Sequence, residues 1–513
     1  MQFRIDEAAP RRMLLRASIT AAGTAYRQCI SFVSGLIVAR VIGAADYGVF
    51  NLARSLVEVI GTFTRLGLDL GLQRYFGETN SARDHASRIV LLGRLRLLAS
   101  AVALVPVIAV ALGLGRVLEE NVYQYSGFAE VLLCLALALP FVTDIGVLGG
   151  AYRGILKLAP AVLAECVLLP TIRLAAILVL FAAGWRLWAV VVGTTLGSLA
   201  AAAFLAMRAR SDFRGDAPAR PQPQPQSWTD ALRVIRYSCV LAGSVIVTML
   251  MINMDTFMLG YFATAQELGQ YSLVKTLLVL TGAAGAACGQ GTEALVADRY
   301  FRGDLAGMVR VMCQNARLIA LITVPVFAIF LFWGAQLVLL FGPSFAVPQV
   351  VVSFLAVVPL VQMFFWPTAC GLSMTGRHLL ELKILSGGMV MATLLCWFAI
   401  PTYGQLGAAV AICVSFATAN VARVLVVRSY VGAFSFGGDI FVIAAAGVGL
   451  AWATNLVVAQ LSLPSFWNAA CGIGGFVLAY AAAGWSHLLS ESEKSGIRAA
   501  LRSKVPTLFR KGS

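Results

Sequence analysis

Asp46-Tyr47-Gly48-Val49-Phe50-Asn51-Leu52-Ala53-Arg54 returns 221 positions later as Glu267-Leu268-Gly269-Gln270-Tyr271-Ser272-Leu273-Val274-Lys275. Both copies hold an acid, a glycine, an aromatic, a small polar residue, a leucine and a base in register. Each opens a long apolar stretch and carries its base into that stretch. A duplicated half with a cation inside an apolar segment is the pattern of a repeat-built membrane transporter.

The repeat extends outward from these segments. Arg74-Tyr75-Phe76 is echoed by Arg299-Tyr300-Phe301, Arg96 by Arg317, Val105-Pro106-Val107 by Val324-Pro325-Val326, and Pro140 by Pro359, at offsets of 219 to 225. The surrounding composition fixes the class: 59% of the 513 residues are apolar and 12% charged, and the mean hydropathy is +0.84. A soluble protein averages about half apolar and a quarter charged. Stretches such as Leu97 to Leu112 are apolar on every side, which excludes the alternating pattern of a barrel strand. The expected fold is an all-α integral membrane protein.

Apolar windows long enough for roughly 30 Å of hydrocarbon can be placed fourteen times. They run over 17–42, 47–70, 88–113, 123–148, 157–183, 186–207, 232–260, 266–290, 309–334, 346–371, 377–400, 405–428, 438–460 and 464–488. Alternate assignment of the intervening segments places 29 Lys and Arg on the N-terminal side, against Arg116 and Arg186 opposite. By the positive-inside rule both termini are expected in the cytoplasm. Met1 to Arg16 is polar and basic, and no small-residue cleavage pattern follows, so the first helix is expected to stay.

A proline-rich segment, Asp216 to Gln226, divides the chain. The expected organisation is an N-lobe (1–207), a cytoplasmic linker (208–231), a C-lobe (232–430), two additional helices (431–490) and a basic tail (491–513). Six helices separate the copies, so both lobes enter the membrane in one direction, with a cavity between them. The last two helices fall outside the repeat and are expected to be peripheral. The net charge of +15 is a topology signal that also suits anionic lipid headgroups, and no nucleic-acid partner is expected. Ten cysteines stand singly in apolar spans, and His85, His378 and His487 lie at span edges. No metal or cofactor is expected.

Chemistry is sought where charge is buried. On the second span Asn51, Arg54, Glu58, Arg65 and Asp69 fall within roughly 60° of one another at 100° per residue. A charge at the bilayer centre costs about 2.5 to 3.5 kcal/mol, so these groups must face a cavity or each other. They could pair along the helix at i, i+4 as a structural ladder. The bases outnumber the acids, however. Arg27, Arg40, Arg54, Arg65, Arg96, Arg173, Lys275 and Arg317 stand against Glu58, Asp69, Glu130, Glu165 and Asp255. A cavity with positive excess suits an anionic substrate.

On the eighth span Ser272, Lys275, Gly282, Gln290 and Glu293 share a face. Arg54 and Lys275, one per lobe, make a candidate clamp for phosphate oxygens. The candidate substrate-binding set is Arg54, Lys275, Arg27, Arg65, Arg96 and Arg317. Glu58, Asp69, Asp255, Glu130 and Glu165 are candidates for ion coupling or charge pairing.

The sequence Ala39-Arg-Val-Ile-Gly-Ala-Ala-Asp-Tyr-Gly-Val-Phe50, with Leu66-Gly-Leu-Asp-Leu-Gly-Leu72, Asn253-Met-Asp-Thr-Phe-Met-Leu-Gly-Tyr-Phe262 and Glu267-Leu-Gly-Gln-Tyr-Ser272, resembles the O-antigen type of bacterial polysaccharide flippase. These belong to the multidrug/oligosaccharidyl-lipid/polysaccharide exporter superfamily. The resemblance implies movement of an undecaprenyl-pyrophosphate-linked oligosaccharide to the outer leaflet by alternating access, driven by an ion or the membrane potential. It also names a polysaccharide polymerase and a chain-length regulator as candidate partners. The competing readings are a multidrug exporter of the same superfamily, a lipid II flippase, and a membrane glycan polymerase or ligase. Short outward loops without His or a paired acid and base argue against an enzyme.

Overall fold

A computed structural model describes residues 8–78, 85–214, 228–375, 377–432, 437–461 and 464–488. The proline-rich run 216–226 and the tail 491–513 lie outside the described residues, as do the side chains of Gly282, Gln290 and Glu293. Among the described residues there is no strand. The helices of the first half are α1 (Ala8–Ile42), α2 (Ala44–Thr64), α3 (Leu68–Glu78), α4 (His85–Ala109), α5 (Gly115–Val117), α6 (Phe128–Ala136), α7 (Leu139–Gly154), α8 (Leu158–Val162), α9 (Leu169–Ala182) and α10 (Leu187–Arg214). The second half comprises α11 (Trp228–Phe262), α12 (Ala265–Phe301), α13 (Leu305–Leu339), α14 (Gln349–Phe364), α15 (Trp366–Met374) and α16 (His378–Val431), followed by α17 (Asp439–Ala459) and α18 (Ser465–Ala483).

Among the described residues ten helices are long and apolar enough to cross a membrane, or eleven when the bent pair Gln349–Gln362 and Trp366–Leu372 counts as one. The expected count of fourteen is not reached, and the reasons are local. α2 carries Arg54 and Glu58 in mid-helix, which lowers its hydropathy, and neither it nor α12 is among the ten. Leu379–Val431 covers the expected spans 377–400 and 405–428 in one 53-residue run. Within it Gly404 adopts φ 54°, ψ −130°, joining two helices. That conformation is open only to glycine, and Pro401 just before it removes a backbone donor.

Other expected boundaries shift for similar reasons. The second span does not run to residue 70 as one rod: Leu66 (φ 52°) and Gly67 (φ 67°) break it between α2 and α3. Pro140 opens α7 and divides the fourth span into α6 and α7, which still run on as one membrane-length segment, Phe128–Gly154, whereas its counterpart Pro359 stays inside α14. Pro106 and Pro325, the repeated pair, both stand inside long helices, α4 and α13.

The acid and the glycine of the repeated segment each have a physical reason. Its acid begins a helix: Asp46 lies in the first turn of α2, and Glu267 closes a capping box with Thr264 at the start of α12. A carboxylate there meets the positive end of the helix dipole, and Glu267 also accepts from the Thr264 N–H at 3.0 Å. Its glycine brings the two halves together. A Cβ built on Gly48 would lie 2.1 Å from the carbonyl oxygen of Ala265, and one on Gly269 would lie 1.8 Å from that of Ala44. α2 and α12 therefore touch backbone to backbone through the two copies of the repeat. Tyr47 adds a hydrogen bond from its hydroxyl to Thr276 Oγ1 (3.2 Å) and an edge contact with Phe345.

A second contact between the halves lies at the opposite end of α2. A Cβ on Gly67 would lie 2.3 Å from the Ser238 carbonyl oxygen, and one on Gly71 would strike the Ser238 side chain. α17 and α18 pack on α13 around buried Trp333, Phe476 and Tyr480.

Candidate functional site

Between those two contacts lies a cavity of about 680 Å³. Its wall carries the whole polar stripe of α2 and α3: Asn51, Arg54, Glu58, Arg65 and Asp69. The break at Leu66-Gly67 does not divert the stripe. The ladder reading fails among the described residues, because neither Arg54 with Glu58 nor Arg65 with Asp69 forms an ion pair. Arg27 enters from α1, Arg153 and Glu165 from α7 and the wide helical turn Leu163–Leu168, Arg173 from α9, and Lys275 from α12.

Six cations thus line the cavity against three carboxylates. Two cations are neutralised. Arg153 Nη2 donates to both oxygens of Glu165, at 2.7 and 2.5 Å. Lys275 Nζ donates to the Ile252 carbonyl (2.9 Å), to Asp255 Oδ1 (2.7 Å) and to Thr256 Oγ1 (2.9 Å). An ammonium has three donors, and all three are used. Asp255 is only 1% exposed and also accepts from the Tyr271 hydroxyl at 2.7 Å. The aromatic of the second repeat copy therefore orients the acid that holds the base of the same copy. In this state Lys275 is half of a buried pair, so the expected two-cation clamp is reduced to its first-half member. Asp255 takes the pairing option that the sequence left open.

The remaining candidates separate. Arg96 is bidentate to Asp144 (2.6 and 2.8 Å), and Arg317 Nη1 donates to Asp439 on α17 at 2.7 Å. Neither lines the cavity, because each is held by an acid on a neighbouring helix. Glu130 is exposed in the first turn of α6 and also lies off the cavity. Glu165 lines the wall but is taken by Arg153. Arg40 is exposed. A further buried pair, Arg423 with Glu381 (2.6 Å), ties the two parts of α16 together, with Asn420 alongside. Sequence reasoning missed Arg153 as a wall residue because it falls in the segment between the expected spans 123–148 and 157–183, whereas α7 runs on to Gly154 and carries it to the wall. It counted Arg173 as buried without assigning it a role. Among the described residues no cluster of His, Cys, Asp or Glu could hold a metal ion.

The geometry can be set beside known proteins. A family profile described as "Polysaccharide biosynthesis protein" matches residues 15–283. No curated protein matches the sequence. Among solved structures the chain is similar to the lipid II flippase MurJ in an inward closed conformation (TM-score 0.69, 11% identity), covering 92% of this chain and 99% of that one. It is similar to an inward-facing multidrug resistance MATE family transporter of the MOP superfamily (TM-score 0.60, 15% identity; 79% and 94% covered). It is also similar to a MOP superfamily transporter from Pyrococcus furiosus described as having a binding pocket of reverse polarity (TM-score 0.57, 16% identity; 82% and 95% covered). At such identities these likenesses show the fold.

Proposed function

The chain belongs to the polysaccharide biosynthesis protein family, and from that premise we propose that it is a flippase for undecaprenyl-pyrophosphate-linked polysaccharide repeat units, working by alternating access in the bacterial inner membrane with both termini in the cytoplasm. The single observation that carries this reading is the positive excess of the central cavity, where, among the described residues, Arg27, Arg54, Arg65 and Arg173 face a common space without a paired acid. A membrane-embedded cavity with that charge stabilises a phosphate group. The prenyl chain stays in the hydrocarbon while the pyrophosphate and glycan occupy the cavity. The carboxylates Glu58 and Asp69, which line the cavity, are the groups through which an ion couples to the lobes. A polymerase and a chain-length regulator act on the delivered units.

Flipping of lipid II is the second reading, favoured by the likeness to MurJ; the membrane-anchored diphosphate is common to both substrates. Deletion of the gene followed by analysis of lipid-linked intermediates tests the two. Complete polysaccharide repeat units on undecaprenyl pyrophosphate, held in the cytoplasmic leaflet, are the expected result. Accumulation of lipid II would transfer the assignment to peptidoglycan, and an incomplete glycan would indicate an enzyme instead.

A further inference from the structure

Arg173 is built into the cavity wall and, among the described residues, has no hydrogen-bond or ion-pair partner. It stands in α9 one turn after the wide turns Leu163–Leu168 and three residues after Pro170. Helical segments of that wide kind often mark functional positions. α10 packs closely behind it. A Cβ on Gly197 would lie 3.0 Å from Arg173 Cβ and 2.9 Å from the Leu169 carbonyl oxygen, and one on Gly193 would lie 3.3 Å from the Arg173 carbonyl oxygen. These small residues let the two backbones touch and leave no room for the arginine on that side. The side chain is directed to the cavity, which it lines together with Arg54.

Arg173 Nε is buried and has no hydrogen-bond acceptor, and the charge of Arg54 acts on the same guanidinium. Neither arginine forms an ion pair among the described residues. Two guanidiniums on one wall repel when the site is empty, and their free donors ask for a multiply charged acceptor. Lys275, its three donors filled, offers no comparable capacity.

We propose that Arg54 and Arg173 form one seat for the diphosphate of the lipid-linked substrate, each guanidinium holding oxygens of one phosphate, so that Arg173 selects for a diphosphate. This rests on the flippase reading for the origin of the ligand, but binding by purified protein is separable from transport. Loss of export with intact binding would sink the transport reading and leave the seat standing.

The test uses the full chain in lipid nanodiscs with farnesyl diphosphate, farnesyl monophosphate, farnesol and an oligoglucuronate as probes. The unsubstituted protein is expected to bind the diphosphate about tenfold or more tightly than the monophosphate, since one charged hydrogen-bonding fork is lost. Farnesol is expected not to compete. R173Q and R54Q should each weaken diphosphate binding about tenfold or more and erase its preference over monophosphate. R302Q, on a loop outside the cavity, should bind as the parent does. Because the empty site holds like charges, both cavity variants should melt at or above the parental temperature. A packing role would instead lower the melting temperature of R173Q. That result, parental diphosphate affinity in R173Q, or Arg173-dependent binding of oligoglucuronate in place of the diphosphate would each overturn the proposal.

Discussion

Gly269→Ala tests whether the repeat contact is a closure between the halves. The added methyl would meet the Ala44 carbonyl oxygen at 1.8 Å and its carbon at 2.7 Å. Both are backbone atoms of the facing helix, and Cβ atoms essentially never approach anything within 3.0 Å. No side chain can swing aside, so α2 and α12 must part by about 1.2 Å, the shortfall from that limit. Overpacking of this kind costs about 1 to 3 kcal/mol. The cost falls only on states in which the two copies of the repeat touch, so a state parted at that end is favoured about 5- to 150-fold. The assay places Ser55→Cys, a cavity-wall position, in a cysteine-free background and measures its reaction with a membrane-impermeant thiol reagent added outside cells. The expected result is labelling 5- to 150-fold faster with Gly269→Ala. Gly48→Ala should act alike, since its methyl would lie 2.1 Å from the Ala265 carbonyl oxygen. Gly93→Ala, whose methyl meets nothing within 4 Å, should not. Parental labelling rates and parental export in Gly269→Ala would refute the assignment of this contact as a gate.

Three further outcomes are expected. Asp255→Ala leaves the half-buried Lys275 ammonium without its counter-ion and should cost about 1 to 3 kcal/mol, seen as a lower melting temperature, whereas Asp255→Asn with Lys275→Met should recover most of that loss. Arg96→Ala should reduce membrane levels through the orphaned Asp144, and the exchange Arg96→Asp with Asp144→Arg should restore them; parental levels in Arg96→Ala would count against a structural role. Thr264→Ala removes the cap of α12 and should lower thermal stability by about 1 kcal/mol, with no change if the capping box does not form in the membrane.

The polar face of α2 was legible because helical phase is a property of the sequence: Asn51, Arg54 and Glu58 must share a face, and an apolar environment forces that face inward, whereas Arg65 and Asp69 reach the same cavity across the break at Leu66 and Gly67. The fate of each charge was not legible. Arg54 and Lys275 occupy the same place in the repeat, yet Lys275 is neutralised because Asp255, on a helix twenty residues earlier, projects to it with Tyr271 as a second donor. Arg96 and Arg317 are also repeat-related, and acids on other helices, Asp144 and Asp439, hold both outside the cavity. The glycine of the repeat was visible only as a repeated residue type. Its reason is a contact of two backbones, which needs both copies in place.

The sequence by itself determined the all-helical membrane class, the duplication and the face on which charge is gathered. These follow from hydropathy and helical period, which act within a segment. The tertiary structure alone decided which cations remain unpaired, where the halves touch, and where the helices break. Ion pairs and close backbone approaches join residues that are distant in sequence, and their energies depend on distances that no local pattern encodes.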